Sequence, residues 1–63
     1  MISQRTLSTL PARLAATREK RGVGERTAAA QIGIHRSTLR RVEAGEEATT
    51  SVLIKILEWL DGG

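Results

Sequence analysis

Residues 31–45 read QIGIHRSTLRRVEAG, and the chain organises around them. Gly33 supplies the positive φ that ends a helix in a sharp turn. Beyond it, Leu39 and Val42 recur at helical spacing, with Ile34 entering beneath, and Gly45 stops the run. This spacing predicts a helix over Arg36–Ala44. Arg36, Ser37, Arg40 and Arg41 fall mostly elsewhere around that helix. An arginine-rich amphipathic helix has two readings, a solvated face or a face that meets phosphates and bases. The segment by itself leaves both open.

The flanking sequence continues in short helical pieces. Before Gly33, the spacing predicts a helix over Glu25–Ile32. Glu25 suits its positive end, and Ala28, Ala29 and Ala30 are strong helix formers. Their small side chains also let another helix come close. Earlier still, Leu7, Leu10 and Leu14 recur at helical intervals. They predict a first helix over Leu10–Arg21, capped by Thr9 or Ser8, with Pro11 in its first turn. Lys20 and Arg21 suit its negative end, and Gly22 follows. After Gly45, Glu46–Thr49 reads as a loop. Thr49 or Thr50 caps a fourth helix through Leu60, whose buried face is Leu53, Ile56, Leu57 and Leu60. Trp59 is expected to be a partly buried core residue. No β-branched alternating run is long enough for a strand. The expectation is an all-α fold, a compact bundle of four to five short helices.

Composition narrows the function. With 63 residues the chain forms one domain at most, and such a domain buries only about 60% of its unfolded surface. It contains no cysteine and one histidine, which leaves no disulfide and no plausible metal site. No apolar run approaches a membrane span of roughly 20 residues, and the N-terminal residues lack the apolar core of a signal peptide. A cytoplasmic protein is therefore expected. Trp59 is the one aromatic residue, which argues against stacking platforms for single strands and against a small-molecule pocket. The net charge of +3 is unevenly spread. Residues 1–26 hold six Lys/Arg against two Glu, 27–45 hold three against one, and 46–63 hold one against four acids. A basic body with an acidic end hints at nucleic acid.

Residues 25–44 combine a small residue at Ala29, glycine at Gly33, and apolar Ile32, Ile34, Leu39 and Val42. Two helices crossing steeply through a short turn require this pattern. Here the chain resembles the helix-turn-helix domains of the phage Cro and repressor type (XRE-like), over about Leu10 to Leu60 and most strongly in IGIHRSTLRRVEAG. The resemblance implies a lambda-repressor-like DNA-binding domain spanning residues 1–63. Its reading helix begins near His35 and enters the major groove of double-stranded DNA. Carried over by position, Arg36, Ser37, Arg40 and Arg41 become the base-reading candidates, and Arg26, His35 and Thr38 the phosphate or adjacent candidates. The same likeness implies a structural ion pair between Arg18 and Glu43.

Three departures from the family pattern matter. Glutamine is common where Glu25 stands; the carboxylate is expected to orient Arg36 instead. The loop after the third helix, often basic, is Glu46-Glu47. The fourth helix is expected to be the last, where many relatives have a fifth, and Val52, Ile54 and Trp59 lie outside its core stripe. They are expected either to form a homodimer on DNA or to be covered by Ile2 and Leu7. The function expected is a sequence-specific transcriptional regulator that occupies an operator. The alternative is a protein-interaction module on the same fold, of antitoxin or anti-repressor type, using the acidic C-terminal half or Trp59. The sequence contains no nucleophile–base set, phosphate loop or metal cluster, so no enzyme, cofactor or metal is expected.

Overall fold

The structure is a computed structural model that describes the backbone of residues 4–62 and the side chains from Thr9 to Gly62. Its helices are α1 (Gln4–Arg21), α2 (Glu25–Ile32), α3 (Arg36–Glu43) and α4 (Thr50–Gly62). The described residues contain no strand.

The breaks between helices have a common cause. At Gly33, φ is +92°, and the N–H groups of Gly33 and Ile34 both donate to the carbonyl of Ala29. At Gly45, φ is +86°; Gly45 donates to Val42 and Glu46 to Arg41. Such closures satisfy the carbonyls that a helix end leaves unpaired, and they need a left-handed residue. The end of α1 closes in the same way through Gly22 and Val23. Thr49 starts α4: its Oγ1 accepts from the N–H of Val52 at 3.3 Å, an N-cap bond.

The first helix differs from expectation. It begins at Gln4, six residues before Leu10, so Pro11 sits inside it and neither Ser8 nor Thr9 caps its start. Pro11 lacks an N–H, which removes one helical bond. The apolar spacing of α1 runs through that point, and a single missing bond does not divide the helix.

The core consists of Leu10 and Leu14 from α1, Ala28, Ala29 and Ile32 from α2, Leu39 and Val42 from α3, and Ile56, Trp59 and Leu60 from α4. Leu14, Leu39 and Ile56 are fully enclosed. Helix α3 packs against both α1 and α2, and α4 closes over α1 and α2. Leu53 and Leu57 are half-buried at the edge of the core.

Trp59 lies deeper than expected, at 5% exposure. Its Nε1–H donates to Oε1 of Gln31 at 3.0 Å, which satisfies the indole's polar atom. Arg21 stacks over the ring, 4.3 Å from its centroid. Its guanidinium donates to the carbonyls of Trp59 (3.0 Å) and Leu60 (3.4 Å). These are among the last carbonyls of α4, which have no helical partner. Arg21 therefore serves the end of α4 as well as standing in the last turn of its own helix.

Trp59 is thus unavailable as an exposed partner-binding residue. Val52 also packs on the core. Of the three residues expected to dimerise, Ile54 alone is exposed, at 49%. Ile2 and the side chain of Leu7 lie outside the described residues.

Candidate nucleic-acid interface

The interface is built on α3. Leu39 and Val42 are buried and fix which way the helix faces. At about 100° per residue, Arg36, Arg40, Ser37 and Arg41 fall within an arc of roughly 140° opposite those two anchors. All four are exposed. Helix α3 has eight residues, about 12 Å of helix, comparable with the roughly 12 Å width of the B-DNA major groove. Thr38 is half-buried at the flank of the arc.

His35 holds the N-cap position of α3 with extended backbone (φ −73°, ψ 148°), and its side chain makes no capping bond. Gly24 caps α2, also without a side-chain acceptor. The first amides of α2 therefore point outward unclaimed by a capping side chain, an arrangement suited to a phosphate oxygen. Arg26 is exposed in that same first turn.

Glu25 pairs with Arg40 rather than with Arg36. Its Oε2 lies 3.7 Å from Arg40 Nε, with the two side chains 39% and 65% exposed. The crossing of α2 over α3 places the start of α2 beside the second turn of α3, one turn beyond Arg36. An exposed pair of this kind contributes about 0–1 kcal/mol, so its consequence is orientation. With Nε turned towards Glu25, the terminal nitrogens of Arg40 are left for other acceptors. Among the described residues, Arg36 and Arg41 face no carboxylate within ion-pair distance.

Arg18 and Glu43 form a bidentate pair between α1 and α3, Nε to Oε2 at 3.0 Å and an η nitrogen to Oε1 at 3.2 Å. Their side chains are 21% and 15% exposed. The hydrogen bond to Glu43 pushes the Arg18 pKa further above its ordinary value, opposed by burial. Glu43 is thereby turned away from the exposed arc and ties α3 to α1. Glu46 and Glu47 are exposed in the loop beyond α3, where they would repel phosphate.

A sequence model of the helix-turn-helix domain family matches residues 9–61. The chain belongs to that family. It is a helix-turn-helix DNA-binding domain of the XRE/Cro-like kind. No curated protein and no solved structure matches it. Helix-turn-helix domains are typically non-enzymatic DNA-binding modules. No described helix is long and apolar enough to cross a membrane.

Sequence reasoning missed the Glu25–Arg40 partnership and the role of Arg21. Both depend on how helices cross, for which residue spacing along the chain carries no signal.

Proposed function

We propose that this helix-turn-helix domain is a sequence-specific transcriptional regulator, Cro-like or repressor-like, which inserts α3 into the major groove of a double-stranded operator. Arg36, Ser37, Arg40 and Arg41 read base edges. Arg26, His35 and Thr38 meet phosphates or lie next to them. The observation that carries this reading is the exposed arc on α3: Arg36, Ser37, Arg40 and Arg41 face away from Leu39 and Val42, and each can donate a hydrogen bond. Arginine donates bidentately to guanine O6 and N7, the commonest specific contact. Glu25 holds Arg40 so that its terminal nitrogens are presented to the groove.

Two copies of the chain occupy neighbouring half-sites about one DNA turn apart. Helix α4 offers Ile54 as its exposed apolar residue, with acidic Glu58 four residues on. DNA, rather than a large apolar interface, therefore holds the copies together. Residues 1–63 act as one domain in the cytoplasm, with no reaction, cofactor or small-molecule ligand of their own.

The test is titration with generic duplex DNA across a range of salt. Neutralising about three to six phosphates per copy predicts a log–log slope of roughly −3 to −5. Absence of binding at low salt contradicts the proposal and favours the protein-interaction reading.

A further inference from the structure

An open groove of about 380 Å³ lies between the middle of α1, the loop after α3 and the start of α4. Its lining includes apolar Pro11, Val42, Ala48 and Leu53 together with Glu46 and Glu47. Val42 is buried in the core, whereas Pro11, Ala48 and Leu53 are half-buried and so present apolar surface to the opening. Both glutamates are exposed, and among the described residues neither pairs with a cation.

We propose that this groove docks a basic amphipathic segment of a protein partner, its apolar side chain resting on Pro11, Ala48 and Leu53 and its flanking Lys or Arg meeting Glu46 and Glu47. Charge selects the occupant. Two adjacent exposed carboxylates in an otherwise largely apolar lining repel nucleic acid and acidic chains, and they attract cations. The occupant is therefore a protein segment and not the DNA backbone, although the groove begins at the C-terminal end of α3. Glu46 donates its own N–H to the carbonyl of Arg41, so the docking edge continues directly from the exposed arc. This proposal does not depend on which bases α3 reads.

The test uses the full chain and a short helical peptide of Leu and Lys with one apolar stripe. A second peptide has the same Leu positions with Glu in place of Lys. Binding is followed by NMR shifts of the backbone amides without DNA. The Lys peptide is expected to move the amides of residues 45–48 and 53. The double substitution Glu46→Lys/Glu47→Lys should weaken it about tenfold, since two exposed attractions become repulsions. Both positions are exposed, so unfolding curves of the variant should match the parent. The Glu peptide should not bind.

Equal binding of both peptides, or of the Lys peptide to parent and variant, overturns the proposal in favour of unspecific apolar contact. Shifts confined to other residues, or no binding, also overturn it. Concentration-dependent shifts at 45–48 and 53 in the chain alone would assign the groove to a second copy instead. Generic DNA binding measured separately distinguishes failure of this proposal from failure of the DNA-binding reading.

Discussion

Replacing Arg18 by alanine isolates the link that holds α3 to α1. The pair has two hydrogen bonds, at 3.0 and 3.2 Å, and its side chains keep 21% and 15% of their exposure. An exposed pair contributes about 0–1 kcal/mol, whereas breaking a fully buried one costs about 3–5 kcal/mol. This pair lies nearer the buried limit but retains some solvent, so Arg18→Ala should cost about 2–3 kcal/mol. A chain of this size has roughly 3–9 kcal/mol of total stability, and the loss should lower Tm by roughly 10–20 °C. Urea unfolding followed by far-UV circular dichroism measures it, with the fluorescence of Trp59 as a second probe. A double-mutant cycle with Glu43→Ala should give a coupling of about 1.5–3 kcal/mol. The apolar pair Arg18→Met/Glu43→Leu should recover most of the loss, because it leaves no charge unpaired. Loss below about 0.5 kcal/mol for Arg18→Ala, the range of a surface pair, would refute the reasoning.

Further consequences follow from individual contacts. Gly33→Ala should cost about 1–2 kcal/mol, because an L-residue is strained at positive φ. A Cβ there meets nothing within 4 Å, so Gly33→Asn should be milder; chemical denaturation compares the two. Arg21→Ala should cost about 1–2 kcal/mol by leaving two α4 carbonyls without their donor and removing the guanidinium over Trp59, with altered Trp59 emission as the check. Glu25→Gln removes a carboxylate from beside the exposed arc of α3 and frees Arg40. It should tighten binding to generic duplex while changing preference at one base position. A uniform gain over all sequences, measured on a panel of duplexes, would show that Glu25 merely repels phosphate.

The helix-turn-helix was legible because its signals are local. Gly33 and Gly45 need left-handed backbone at the two ends, and the apolar spacing of Leu39 and Val42 orients everything between them. Helix α2 was equally plain, since three alanines and a terminal acid give a strong local helix signal. The start of α1 was not, because Pro11 carries the same local signal whether it opens a helix or lies within one. Only the continuing apolar stripe distinguishes the two cases. Trp59 was expected to be only partly buried because it lies outside the Leu53–Leu60 stripe, yet α2 and Arg21 enclose it from the side. Glu25 faces Arg40 rather than Arg36 because the crossing of α2 and α3 sets their neighbours. That crossing is a property of packing and leaves no mark in residue spacing. The Arg18–Glu43 contact is equally long-range, 25 residues apart in the chain, and the family likeness rather than spacing pointed to it.

The central claim is that the exposed arc on α3 reads bases. It is tested most directly by selecting a site from random duplex DNA and measuring parent, Arg36→Ala and Arg40→Ala against every single-base variant of that site. The account predicts that each substitution removes about 1–3 kcal/mol of discrimination at one base position and leaves the remaining positions intact. Equal weakening at all positions for both variants would contradict it, since that pattern belongs to phosphate contacts alone.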